Sequence, residues 1–127
     1  MLDTDTVSYA LRDVGRVAEM IKLHSPSGIC ISSITLAELR MGASLKRSKR
    51  IHAVIGAFVS QMPVMPFDDE AATRFGEVAA ALVHSGQSIG ELDAMIAAHA
   101  MDLDATLVTN NTRHFRRVKG LRFVSWA

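Results

Sequence analysis

The stretch from Ser88 to Asn111, SIGELDAMIAAHAMDLDATLVTNN, constrains the fold more than any other part of the chain. Leu92, Met95, Ile96, His99 and Ala100 recur at helical spacing. Ser88 and Glu91 stand in capping-box register, which predicts a helix start near Ile89. Ala105 to Thr109 then reads as a strand, closed by the turn formers Asn110 and Asn111. Asp93 falls outside the apolar set, among Ala94, Ala97 and Ala98, whose small side chains let other backbone or a ligand approach closely. A carboxylate on a helix is thus followed by polar side chains at a strand's carboxyl end. In open α/β sheets, that end is where ligands bind.

The same alternation runs through the rest of the chain. Met1 to Asp5 predicts a short strand, Thr6 to Arg12 a helical turn or two, and Arg16 to His24 a helix stopped by Ser25-Pro26-Ser27-Gly28. Ile29 to Ile31 reads as a buried strand and Thr35 to Ala43 as a helix. The basic segment Lys46 to Arg50 opens a helix to about Met62, which Pro63 ends, and Val64 to Pro66 is briefly extended. Asp68 or Asp69 caps a helix to about Ser85, and Gly86 closes it. Arg113 to Arg117 is a short basic turn or helix, and Leu121 to Val124 a last strand. Strands separated by helices predict an α/β fold with a parallel sheet. The 127 residues, without repeat or linker, predict one domain over 1–127.

Composition excludes several classes. The chain is 49% hydrophobic, enough for one core. Its mean hydropathy of +0.19 predicts apolar surface covered by a partner or a second copy. A net charge of +1 and a pI of about 8.0 exclude a strongly basic nucleic-acid binder, but leave room for a local basic patch. The single cysteine, Cys30, excludes an intrachain disulfide and fits a reducing compartment. The acidic N-terminus lacks a secretory apolar region, and no run approaches the ~20 apolar residues of a membrane span. The expectation is a soluble cytoplasmic protein with no membrane partner.

Four carboxylates lie near strand ends or early helical turns: Asp3, Asp5, Glu38 and Asp93. Period-2 alternation puts Asp3 and Asp5 on the same side if the first strand reaches that far. A parallel sheet gathers all of these groups at one rim. Carboxylates held together repel, and stay ionised at neutral pH only around something cationic. Mg²⁺ or Mn²⁺ suits such oxygen ligands and lends the site to phosphoryl chemistry. Each residue also has a purely structural reading. Thr35 and Glu38 form a capping-box pair, Asp93 suits a helix N-terminus, and Asp3, Asp5, Asn110 and Asn111 suit turns. The five histidines lack metal-ligand spacing, and His99 reads as a core residue. The seven methionines read as core or interface filler. Lys46–Arg50 and Arg113–Lys119 are solvated faces unless they border the carboxylates.

The joint pattern is more specific. LDTD at the start, SSITLAELRMGA, SIGELDAMIAAHA, and ATLVTNNTRHFRRVKGL with terminal Trp126 resemble the PIN-domain ribonucleases, in particular the VapC toxins of type II toxin–antitoxin pairs. The likeness runs from Leu2 to Trp126. It implies a three-layer α/β/α domain around a parallel sheet of about four to five strands, and metal-dependent endonucleolytic cleavage of RNA. The family's first three acidic positions fall on Asp3, Glu38 and Asp93, which would hold one or two Mg²⁺ or Mn²⁺ ions. The fourth falls on Asn110-Asn111, where many relatives carry aspartate, and Asp5 replaces a common asparagine of the first motif. The resemblance casts Thr4, Asp5, Thr109, Asn110 and Asn111 as supporting residues. Arg40, Arg113, Arg116 and Arg117 are candidates for gripping the RNA backbone. It further implies structured RNA, tRNA favoured, as substrate, a homodimer, a VapB-like antitoxin, and operator DNA bound only through that antitoxin. The apolar faces Ile51–Val59 and Ala72–Leu82 would supply the dimer or antitoxin surface. Two alternatives remain: a PIN-like module that binds RNA or a partner without cutting, and a phosphatase of the haloacid-dehalogenase type. The latter rests on Asp3-Thr-Asp5-Thr6-Val7, but its long preceding strand is missing.

Overall fold

Parallel pairing is what the short apolar runs build. In the computed structural model, which describes residues 1–25 and 28–126, Leu2 bridges both Ile31 and Val108 in parallel. β1 (Ile31–Ser32) pairs in parallel with β2 (Val64–Met65), and β3 (Leu107–Val108) with β4 (Phe123–Val124). The order across the sheet is therefore β2, β1, the Leu2 segment, β3, β4. Each named strand has only 2 residues. Hydrogen bonds carry the pairing beyond them: Leu2 N–H donates to Cys30 O at 2.9 Å, Val108 N–H to Met1 O at 2.7 Å, and Thr109 N–H to Val124 O at 2.9 Å.

The helices are α1 (Thr4–Leu11), α2 (Val17–His24), α3 (Ser33–Leu45), α4 (Lys49–Val59), α5 (Asp69–His84), α6 (Glu91–Asp102) and α7 (Thr112–Phe115). Pro26 and Ser27, read above as part of the stop after α2, lie outside the described residues. As expected, Asp68 caps α5, its carboxylate accepting Ala71 N–H at 3.0 Å. Three local readings change. The first strand ends at Leu2 because the Asp3 carboxylate accepts Thr6 N–H at 2.8 Å and starts α1 at once, which places Asp5 in a helix. Thr35 and Glu38 are not a capping box, because Ser32 caps α3 by accepting Ile34 N–H at 3.0 Å. Ser88 does not cap α6. That helix starts at Glu91 behind Gly90, whose φ of 95° is the left-handed conformation that glycine alone adopts freely. The Ser88 carbonyl instead accepts from Arg117 Nη1 at 3.1 Å.

Alternate residues of the central strands face opposite layers. Met1 and Leu107 join Val78, Leu82, Ile96, Ala97 and Phe115 under α5, α6 and α7. Leu2, Ile31 and Val108 join Val7, Leu39 and Ile55 under α1, α3 and α4. The result is the three-layer α/β/α arrangement. α6 is the most deeply set helix, with Ala94, Ile96, Ala97, Ala98, His99 and Ala100 all buried. Among the described residues, no helix is long and apolar enough to cross a membrane.

Candidate active site

In a parallel sheet all carboxyl ends lie along one rim, and the helices decide what arrives there. Asp3 directly follows the Leu2 segment. β1 runs without a break into α3, which carries Glu38 in its second turn. α6 precedes β3, so it returns across the sheet in the opposite direction and brings its first turn, with Asp93, to the end of β3. Thr109, Asn110 and Asn111 leave β3 at that same point and lead into α7.

The electrostatics record this convergence. The Asp93 carboxyl is raised above the usual aspartate range, first by burial and then by the charges of Glu38 and Asp3, while His114 pulls it down. Asp3 is also raised, chiefly by burial, against stabilising hydrogen bonds from Thr109 and Thr6. These groups are held by short-range partners. Glu38 Oε1 accepts from Thr4 Oγ1 at 2.7 Å, and the Thr4 and Thr35 hydroxyls lie 3.3 Å apart. Thr6 Oγ1 donates to Val108 O at 3.1 Å, fastening the start of α1 to β3. Thr109 Oγ1 accepts Asn111 N–H at 2.9 Å.

The remaining candidates separate by position. Asn111 Nδ2 lies 2.9 Å from His114 Nδ1, and that nitrogen faces Asp93 Oδ2 at 3.7 Å. His114 is therefore part of the site, although it stood out in no sequence pattern. Its one signal is the i,i+3 relation to Asn111 across the first turn of α7. Asn110 Nδ2 donates to Tyr9 Oη at 3.1 Å, tying the turn to α1. Asp5 is exposed on α1, and its charge is the weakest of the influences on Asp3. Arg40 is engaged elsewhere: Nη1 donates to the His52 carbonyl at 2.9 Å and contacts His52 Nδ1 at 3.0 Å, joining α3 to α4. Two residues apart on α3, Arg40 and Glu38 do not share a face. Arg113, Arg116 and Arg117 line an open concavity of about 500 Å³ with Gln87 and Lys119, and α7 connects it to His114.

A hard divalent cation fits this donor set. The converging groups are carboxylates, and Asp3 and Asp93 ionise less readily, chiefly because of burial. Among the described residues, no three His, Cys, Asp or Glu side chains already form a metal cage. Asp3 and Glu38 are instead turned toward their own amide and hydroxyl donors. Such donors orient ligating carboxylates in metal sites.

Comparison with known proteins agrees with this fold. Residues 1–121 match the family described as PIN domain. The chain is 41% identical to the tRNA(fMet)-specific endonuclease VapC of Shigella flexneri, covering 100% of this chain and 97% of that one. It is 39% identical to Ribonuclease VapC2 of Haemophilus influenzae, covering 99% and 96%. The solved structure of DNA-bound VapBC from Salmonella typhimurium superposes with a TM-score of 0.92 at 38% identity, over 100% of this chain and 97% of that chain. VapBC2 of Rickettsia felis bound to a promoter fragment superposes with a TM-score of 0.92 at 33% identity, over 100% and 98%. The chain belongs to the PIN-domain family and, within it, to the VapC ribonucleases. The phosphatase alternative falls with this assignment.

Proposed function

We propose that this chain is the toxin of a type II toxin–antitoxin pair, a Mg²⁺- or Mn²⁺-dependent endoribonuclease that hydrolyses phosphodiester bonds in structured RNA, with tRNA its substrate. The observation that carries the proposal is the convergence of Asp3, Glu38 and Asp93 at one sheet rim, close enough that the charges of Glu38 and Asp3 raise the Asp93 carboxyl. Those three side chains would hold the cation. When bound, it supplies charge neutralisation at the phosphodiester and lowers the pKa of the attacking water. Thr4, Thr6 and Thr109 orient the carboxylates. Asn110 and Asn111 form the neutral edge of the site, where Asn111 fixes His114 beside Asp93. Arg113, Arg116 and Arg117 grip the RNA backbone on the open side of α7. The names of the Shigella and Salmonella relatives support tRNA, with tRNA(fMet) the first substrate to try.

The solved VapBC relatives support a VapB-like antitoxin as partner, with operator DNA bound through that antitoxin. Exposed Val54 on α4 and Val83 on α5 support these helices as homodimer or antitoxin surface. The proposed place of action is the cytoplasm.

The test is to incubate the antitoxin-free chain with total RNA and Mg²⁺ or Mn²⁺ and to map new RNA ends, beside Asp93→Asn and a chelator control. Discrete metal-dependent ends that vanish in Asp93→Asn are expected. Absence of cleavage by folded, metal-supplied protein on RNA from its host would sink the nuclease reading in favour of a binding module.

A further inference from the structure

Glu38 and Asp93 belong to two different helices, and their spacing depends on how α3 packs against α6. One buried polar contact crosses that junction. Ser32 Oγ lies 2.8 Å from His99 Nδ1, and Ser32 and His99 are 0% and 1% exposed. Ser32 is the N-cap of α3, its oxygen already accepting Ile34 N–H at 3.0 Å. Its hydroxyl proton is therefore available to His99 Nδ1, which makes Nδ1 the acceptor and leaves the proton on Nε2. Burial holds the imidazole toward its neutral form, against the opposing pull of Asp68, Asp102 and the Pro66 carbonyl. The ring also meets Phe67 edge-on, with centroids 5.4 Å apart, so it is walled in on the β2 side as well. Among the described residues Nε2 makes no hydrogen bond of good geometry, and the Pro66 carbonyl is the acceptor that acts on the ring.

We propose that the Ser32–His99 hydrogen bond is a positioning link. It sets the spacing of α3 and α6, and with it the distance between Glu38 and Asp93. This rests on the reading of the acidic rim given above. His99 lies six positions after Asp93 on α6, and Ser32 six before Glu38 on the β1–α3 junction. One rigid bond thus references both carboxylates to the same point inside the protein. A hydrophobic contact would tolerate sliding of the helices, whereas a hydrogen bond at 2.8 Å does not. Neither residue touches substrate in this scheme; both act through the carboxylates.

The experiment uses the full antitoxin-free chain with Cys30→Ser. Spin labels on Ala37→Cys (α3) and Glu91→Cys (α6) report helix spacing by double electron–electron resonance. The same substitutions without the labels are tested for Mn²⁺ affinity and RNA-cleavage kinetics. His99→Leu removes the bond alone, and Ser32→Ala removes it together with the cap of α3. His99→Asn leaves a larger void than leucine but retains a polar atom at the Nδ1 position. Val78→Ala loosens the neighbouring core without touching the bond. The two bond-deleting variants are expected to broaden the distance distribution, weaken Mn²⁺ at least tenfold and lower kcat at nearly constant KM. His99→Asn stays within threefold of the parent, and Val78→Ala lowers Tm while leaving Mn²⁺ affinity intact. Should His99→Leu fail to fold, His99→Phe carries the same test, because it also removes the bond and leaves the cap of α3 intact. An unchanged distance distribution in the His99 variant, or equal Mn²⁺ loss in Val78→Ala, overturns the link. A parent chain that binds no Mn²⁺ while its helix spacing still responds to His99→Leu overturns the metal reading and leaves the link standing.

Discussion

Asp3 and Asp93 meet at one rim and are both driven toward protonation, yet they are held in opposite ways. Asp3 is 4% exposed, accepts the Thr6 amide as the cap of α1, and is further stabilised by Thr109. Asp93 has no cap role. Its one close polar neighbour of opposite tendency is His114 at 3.7 Å, longer than a hydrogen bond. The difference separates two tasks that carboxylates perform in a site of this kind. Asp3 is part of the scaffold as well as of the proposed donor set, so the fold depends on it. Asp93 adds negative charge to a crowded rim and fastens no backbone, its return to the fold being confined to the first turn of α6 and to His114.

The widest separation is expected in activity. Asp93→Asn should lower RNA cleavage by about 10³-fold. It should also raise the Tm of the metal-free chain by roughly 2 °C, since it removes a strained charge whose side chain is 33% exposed. Kinetics and calorimetry on the same sample check both; a lower Tm would erase the contrast with Asp3. At Asp3 the two roles come apart by substitution. Asp3→Ala should abolish cleavage and cost about 1 kcal/mol through loss of the helix cap, while Asp3→Asn abolishes cleavage but keeps the cap. Chemical denaturation distinguishes them, and equal stability of the two variants would show that Asp3 is no scaffold.

Smaller effects sharpen the picture. Arg116→Ala should raise KM several-fold and reduce the slope of log affinity against log salt by about 1, with kcat nearly unchanged. Titrating stability against pH gives a signed test. Asp3 and Asp93 have folded pKa values raised above 3.8, so their contribution is fully present below that value and is lost as pH rises through the folded values. His99, lowered from 6.5, contributes above its unfolded value, and that contribution is lost as pH falls through its folded one. The metal-free chain should therefore lose carboxylate-linked stability between acid and neutral pH. Asp93→Asn should flatten part of that slope, and Mn²⁺ should restore stability at neutral pH. Least of all, Asp5→Asn should change Mn²⁺ affinity less than about twofold, because Asp5 is exposed on α1. A large drop would show that Asp5 supplies charge in place of the missing fourth carboxylate.

The alternation of elements was legible because apolar periodicity is local, and Asp3, Glu38 and Asp93 were legible because their spacing belongs to a recognisable pattern. What escaped reading was decided by competition between neighbouring caps or by partners far away in the chain. Ser88 loses its cap role where Arg117 takes its carbonyl, and Thr35 loses its own because Ser32 starts the helix earlier. Asp5 leaves the strand face because Asp3 turns the backbone into α1. The Ser32–His99 bond joins residues 67 positions apart, and no window on the sequence contains both. His114 becomes visible only once α6 and α7 are side by side.

The centre of the sheet is made by the first residues and some of the last. Leu2 pairs with Val108, and the Met1 amine donates to Thr106 O across 105 positions at 2.9 Å. During synthesis, Asp3 emerges well before Val108 and Thr109, and its strand has no neighbour on that side until they follow. Asp93 cannot be set against it until β3 follows α6 out of the ribosome. A nascent or truncated chain lacking β3 therefore carries all three acidic residues without the strand that sets them against one another, so a cell making this protein meets its chemistry only after β3 has been translated.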